Sequence, residues 1–425
     1  MRYHSYLNTA IKLIGSCKGD LPFAVFIKKY FAANKKYGGR DRKQISALCY
    51  NFYRLGKALP HATVDEKIIA GSFLCEQAGN EFLAFHKPEW NELIAKPLEE
   101  KKVLAGFKIE EQFPLADELS TGIDFEPFCN SFFTQPDLFL RIRPCNKDGV
   151  IKKLQDAGVA FELYDDDCIA LPNSTKIDNI FEIDKEVVVQ DLNSQQVLNF
   201  LKDPASGIPV RTAVQPGGQY PVSSIQYPVS SIQQPVSSIQ QPVSSIRYPV
   251  SVWDCCAASG GKSLLLYDIL NGKIELTVSD IRETILQNLK KRFAIAGIKN
   301  YTSFIADLSA ALCPLPIAQC QLIICDAPCT GSGTWSRTPE QLYFFKEKTI
   351  NEYAGMQQKI VSRVIPFLQP GGIFIYITCS VFKKENEDMV DYIKEKFHLQ
   401  LLQMELLKGY SVKADSMFTA VFIKQ

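Results

Sequence analysis

The spacing of hydrophobic positions divides this chain into four textures. Up to about residue 125 they recur every three or four residues: Phe23, Phe26, Ile27, Tyr30 and Phe31, then Ile45, Leu48, Cys49 and Phe52. Behind Asp65-Glu66-Lys67 the same period runs through Ile68, Ile69, Phe73 and Leu74. Such spacing gives each helix one apolar stripe and predicts an all-helical bundle over 1–125. From 126 to 204 the texture is mixed. Leu138 to Arg143, Val159 to Tyr164 and Glu186 to Gln190 read as strands, with a short helix from Val150 to Ala157 closed by Gly158. A small α/β subdomain is expected there.

The third texture, 205–251, is a repeat. After Gln215-Pro216-Gly217-Gly218 a seven-residue unit starts at Tyr220, with copies from Tyr227, Gln234 and Gln241 and a degraded one from Tyr248. A heptad period suggests a coiled coil, but a proline in every unit forbids a continuous helix. The repeat reads as a Pro/Ser-rich surface-loop insertion, since lengthening a loop adds little entropic cost.

Residues 252–425 alternate strand and helix, as a doubly wound sheet does. Strands are expected at Val250 to Cys255, Leu276 to Asp280, Phe304 to Asp307, Leu322 to Asp326 and Ile373 to Tyr376. Met417 to Ile423 reads as a last strand at the sheet edge. Helices are expected from Ser263, through Ile285, Leu289 and Phe293 to Gly297, and up to Leu368 before Pro370-Gly371-Gly372.

Composition narrows the setting. The chain has 425 residues, 46% hydrophobic and 22% charged, with no apolar run approaching the roughly 20 residues that span a bilayer. A cytoplasmic monomer is the expectation. Thirteen cysteines without a CxxC pair, and four histidines, suggest reduced thiols and no bound metal. Charge is unevenly spread. Residues 1–60 hold twelve Lys/Arg against Asp20 and Asp41, a net of +10; residues 61–130 hold six Lys against fourteen acids, a net of −8. The basic block is a candidate phosphate-binding face.

The candidate chemistry lies just past the strands of the last segment, where open α/β sheets keep their ligands. Cys329 follows Cys325-Asp326-Ala327-Pro328, and Cys379 lies in Thr378-Cys379-Ser380. Two thiols at two strand ends point to a site that uses sulfur twice. Cys256-Ala257-Ala258-Ser259-Gly260-Gly261-Lys262 forms a small-residue turn between strand and helix, letting backbone approach a ligand closely. Gly261-Lys262-Ser263 imitates a phosphate-binding loop, but Cys256 stands where that motif requires glycine. Asp280 and Asp307 follow the next two strands, suited to ribose hydroxyls and an adenine amine.

In this order, the segment 257–262, Asp280, Asp307, Asp326-Ala327-Pro328-Cys329 and Thr378-Cys379-Ser380 resemble the RNA (cytosine-5)-methyltransferase family, its RsmB-like ribosomal RNA members most of all. Leu140-Arg141-Ile142, Val189-Gln190-Asp191 and Glu385-Asn386-Glu387 are similar to further family segments, and Arg40 to Arg54 resembles a helix of the NusB-like domain. The resemblance implies an α/β fold: a Rossmann-like S-adenosylmethionine-dependent methyltransferase domain (252–425), preceded by the α/β subdomain (126–204) and a helical NusB-like RNA-binding domain (1–125). It implies Cys379 as nucleophile toward cytosine carbon 6, Cys329 as the thiol assisting proton loss and release, and Asp326 and Lys262 as groups orienting the base. The cofactor-binding set is then 256–262 with Asp280, Asp307 and Asp326. RNA is the implied partner, ribosomal first and transfer RNA second. Ser259 departs from the family's usual proline. A non-catalytic RNA-binding assembly factor on the same fold is the alternative, and a nucleotide hydrolase the third reading.

Overall fold

The computed structural model describes residues 2–202, 249–310 and 314–425; the heptad repeat up to Tyr248 lies outside them. Helices occupy the N-terminal stretch, among them Arg2–Ser16, Phe23–Ala33, Gly39–Arg54 and Val64–Cys75. The stripes read from the sequence are what they bury: Phe23, Ile27, Phe31, Ile45, Leu48, Cys49 and Phe52 share one core. Lys12, Lys28, Lys29, Lys35, Lys36, Arg40 and Lys43 stay exposed. The bundle also grips the C-terminal segment, where Glu340 accepts from the Phe23 amide at 3.0 Å and Tyr343 packs on Phe52 and Tyr53.

The middle region is a four-stranded antiparallel sheet of β1 (Leu138–Ile142), β2 (Glu162–Tyr164), β3 (Cys168–Leu171) and β4 (Val187–Val189), in the order β2-β3-β1-β4. Helix Lys147–Asp156 packs Val150 and Leu154 against it. β3 went unread in the sequence because a four-residue apolar run after three aspartates is too short to show a period.

The larger sheet has seven strands: β5 (Val250–Asp254), β6 (Ile274–Asp280), β7 (Tyr301–Ile305), β8 (Cys320–Asp326), β9 (Leu368–Thr378), β10 (Gln400–Leu407) and β11 (Met417–Ile423). Their order is β10-β11-β9-β8-β5-β6-β7, with β5 to β9 parallel and the two last strands antiparallel. The α/β architecture is the one expected. Alternate residues serve opposite faces: Leu322 and Ile324 join one core, Ile323 and Cys325 the other.

Two strand readings change. The third parallel strand is Tyr301–Ile305, so Asp307 lies beyond it in a turn. Met417–Ile423 is not an edge: β10 covers it, and all but its last residue are buried. The imperfect alternation of Gln400 to Leu407 concealed that covering strand. No helix among the described residues is long and apolar enough to cross a membrane.

Charged contacts join the two sheets. Arg141 of β1, only 2% exposed, donates to Asp268 at 2.6 Å, and Arg143 does so at 2.8 Å. Asp268 belongs to helix Gly261–Ile269, which leads from the glycine turn. Removing one partner of a buried pair leaves a desolvated charge at a typical cost of about 3–5 kcal/mol. Asp268→Ala is expected to lower stability by about 3 kcal/mol or more, read from the urea midpoint at unchanged slope, with Arg141→Met the milder lesion.

Candidate active site

The chain runs from β5 outward to β7 and returns to place β8 on the other side of β5. At such a reversal, neighbouring loops diverge and leave a crevice beyond the carboxyl ends. A cavity of about 310 Å³ lies there. Its walls include Cys256, Ala257, Ala258, Ser259, Gly261, Lys262, Asp326 and Cys379 from the residues singled out in the sequence. Gly260, Asp280, Asp307 and Cys329 do not line it.

The turn after β5 is built by backbone bonds. Cys255 N–H donates to Ile324 at 3.0 Å, Ala257 N–H to Ser279 at 2.9 Å, and Ala258 N–H to the Asp280 carboxylate at 3.0 Å. Gly260 has φ +84°, and a β-carbon there would stand 2.8 Å from Phe293. This glycine is therefore demanded by backbone sign and by helix packing together. Asp280 holds the turn through Ala258 and is paired with the Arg282 side chain at 3.1 Å. Asp307 accepts from its own turn at Ser309, which holds its carboxyl below the usual range.

Lys262 Nζ meets Asp326 Oδ2 at 2.6 Å on the cavity wall. Burial pulls the Lys262 ammonium down, but Asp326, with Cys379 and Asp254, outweighs it and raises its pKa. Asp254 ends β5 fully buried. Desolvation, opposed by the Ser263 hydroxyl at 2.6 Å, pushes its carboxyl up to about 7, and its Oδ1 has no hydrogen-bond partner. A buried acceptor without a partner on a cavity wall suits a ligand donor.

Cys329 and Cys379 converge from adjacent strands β8 and β9, their Sγ atoms 3.4 Å apart. The hydrogen bond with Cys379, then burial, then the charge of Glu385 raise the Cys329 pKa well above that of a free thiol. Glu385 is fully buried and ties both cysteine loops together. It accepts from the Thr330 amide at 3.0 Å and hydroxyl at 2.5 Å, from Gln357 at 3.0 Å, and from the Ser380 hydroxyl. Asn386 donates to the Ser380 carbonyl at 2.9 Å and to Ser120 at 2.8 Å, binding the helical region to the same loop. Gly333 closes the arrangement: its N–H donates to the Cys379 carbonyl at 2.8 Å.

Sequence reasoning quoted Glu385 only within a motif, and passed over Arg292, Arg337 and Asp415 altogether. Arg292 donates to the Ser259 hydroxyl at 3.1 Å and carbonyl at 2.9 Å while paired with Asp184 at 2.7 Å. Ser259 is thus fastened from outside the turn. Arg337 joins Asp191 at 2.6 Å and Asp415 at 2.8 Å, both at the cavity. No local signal marks such residues, because each acts on a partner distant in sequence.

Comparison with known proteins finds relatives for this part of the chain. Residues 248–422 match the model of a family described as 16S rRNA methyltransferase RsmB/F. That segment is similar to the RsmB/F family, as its motifs implied. The chain is 29% identical over 160 residues to ribosomal RNA small subunit methyltransferase F of Psychromonas ingrahamii, covering 37% of this chain and 33% of that protein. It is 31% identical over 144 residues to ribosomal RNA small subunit methyltransferase B of an Enterobacter species, covering 33% and 32%. It is 28% identical over 163 residues to tRNA (cytosine(72)-C(5))-methyltransferase NSUN6 of Mus musculus, covering 36% and 34%. The alignment therefore spans about a third of each relative. Among solved structures, one titled PH0851 superposes with a TM-score of 0.66 at 18% identity, covering 98% of this chain and 97% of that one. A methyltransferase homologue from Pyrococcus horikoshii superposes at 0.53 and 18% identity, covering 76% and 95%.

Two outcomes follow from the site. Gly333→Ala would bring its methyl within 2.1 Å of the Ser416 carbonyl, so it is expected to destabilise the chain measurably in thermal melts. Asp415 carries a carboxyl pushed up to about 7 by burial and by Asp191, against the pull of Arg337. The folded form therefore binds more protons than the unfolded form between about pH 4 and 7, and stability from this group is lost as pH rises through 7. Asp415→Asn is expected to flatten that fall, gaining about 1–3 kcal/mol at pH 8 relative to pH 5 in paired urea titrations.

Proposed function

We propose that this protein transfers a methyl group from S-adenosylmethionine to carbon 5 of cytosine in RNA, ribosomal RNA first. The observation that carries the reading is the Cys329–Cys379 pair, 3.4 Å apart, with Cys379 on the cavity wall that also holds Lys262 and Asp326. A single thiol at a strand end is most often a small buried hydrophobe. Two that meet beside a cation–carboxylate pair match a reaction with separate steps of attachment and release.

The fit to the cofactor rests on the partnerless Asp254 oxygen and on the small residues of the turn after β5, of which Cys256, Ala257, Ala258, Ser259 and Gly261 line the cavity. These residues, with Lys262 and Asp326, would hold it. Asp280 would reach its ribose once the exposed Arg282 side chain turns away. When bound, the cofactor supplies an electrophilic methyl group.

The chain's own residues do the rest. Carbon 5 of cytosine is a poor nucleophile. The Cys379 thiolate forms a bond to carbon 6, and the electron pair displaced from the 5,6 double bond makes carbon 5 nucleophilic. Lys262 and Asp326 orient the base and bear the charge that develops on its ring. After carbon 5 is methylated, its proton must leave; the electrons of that C–H bond re-form the double bond and expel Cys379. Cys329 is suited to take that proton: the hydrogen bond with Cys379 is the first cause of its raised pKa, and that bond is lost while Cys379 is joined to carbon 6. The exposed lysines of the helical bundle are suited to RNA phosphates.

Cys379→Ala is expected to cut methyl transfer at least about a thousandfold. Cys329→Ala is expected to accumulate a slow-migrating protein–RNA band on a denaturing gel, given unmodified ribosomal RNA and cofactor. Adding Cys379→Ala should abolish the band. A folded Cys379→Ala protein that still methylates cytosine would refute the covalent route, and a wild type that fails to bind the cofactor would favour an assembly factor without catalysis.

A further inference from the structure

A second group of thiols lies beside the cavity, apart from the pair just described. Cys255, Cys256 and Cys325 have their Sγ atoms all within 4.8 Å of one another, the one such group of three metal-ligating side chains found among the described residues. The parallel register creates it. Asp254 of β5 stands against Ile324 of β8, and the Cys255 amide donates to the Ile324 carbonyl at 3.0 Å, so Cys255, just past the end of β5, comes beside Cys325 near the end of β8. The turn that begins at Cys255 then brings Cys256 round to the same point. Cys255 and Cys325 are dry, and Cys256 opens onto the cavity.

We propose that Cys255, Cys256 and Cys325 form a three-thiolate site for a soft d10 cation, with monovalent copper the best match. Three sulfurs around a trigonal ion at about 2.3 Å stand roughly 4 Å apart, a spacing that fits inside the 4.8 Å within which the three Sγ atoms already lie. The donor set is sulfur alone. Soft thiolates select soft ions, and a closed zinc site wants four ligands where this group offers three. The ion displaces thiol protons as it enters, and its open side faces the cavity through Cys256. The sequence suggested no metal because its thiols show no CxxC spacing; the third ligand comes from a strand remote in the chain.

The test is an anaerobic titration of the full-length reduced protein with monovalent copper, in competition with a colorimetric chelator that strips isolated thiols. Wild type is expected to retain one ion per chain, as is the Cys329→Ser/Cys379→Ser double variant, with X-ray absorption giving three sulfurs. Cys325→Val, nearly isosteric at a buried position, and Cys256→Ser, at the cavity wall, should each weaken retention at least about tenfold. Two variants in different surroundings guard against a misfolded one. No retention by wild type, unchanged retention in a folded Cys325→Val or Cys256→Ser protein, loss in the double variant, or a two-sulfur shell would each overturn the site. The titration needs neither RNA nor S-adenosylmethionine, so its result is independent of the methyl-transfer reading.

Discussion

Everything chemical in this protein depends on parallel pairing of β8 with β5 on one side and β9 on the other. Parallel strands end together, so three loops far apart in the chain emerge at one rim. Asp254 with the glycine turn comes from β5, Asp326 and Cys329 from β8, and Cys379 from β9. Because the chain reverses its winding between β5 and β8, that rim has an opening instead of a helix over it. A slip of one residue in either pairing would turn Asp326 or Cys379 to the other face of the sheet.

Burial makes those groups consequential. Lys262 is surrounded by Asp254, Asp326 and Cys379, and the attraction more than offsets the cost of desolvating its ammonium. Glu385 sits deeper. Desolvation raises its pKa, while bonds from Ser380, Thr330 and Gln357 oppose the rise. An acid with so many donors is held in one place, and it holds both cysteine loops in turn. Low local dielectric strengthens each bond of such a network and makes each lost partner costly.

The parts before the large sheet are coupled to the site by arginines. Arg141 and Arg143 reach Asp268, Arg292 bridges Asp184 to Ser259, and Arg337 bridges Asp191 to Asp415. Planar guanidinium groups suit such bridging, since each presents several donors in fixed directions. Ser120 and Phe23 are among the contacts from the helical region. The small subdomain therefore supplies part of the cavity wall, through Val189, Gln190 and Asp191, and steadies the turn at Ser259 through Asp184 and Arg292.

Much of this was legible along the chain. Periodicity alone yielded the N-terminal helices and the alternation of the large sheet, because burial of one face repeats at the period of the element that buries it. The glycine turn and the two cysteine loops stood out because their chemistry is contiguous. Legibility failed where a role depends on partners far apart in sequence. Gln400–Leu407 looked like no strand until β11 lay beside it, and Met417–Ile423 looked like an edge for the same reason. Glu385 could be noticed as a motif letter, but its place beneath both thiols arises only when Thr330, Gln357 and Ser380 surround it. Whether Cys255 and Cys325 meet is likewise decided by strand register. Local patterning determined most of the elements that form and offered the candidate residues for chemistry; their convergence came from the tertiary fold, since only folding brings distant strand ends within hydrogen-bond distance.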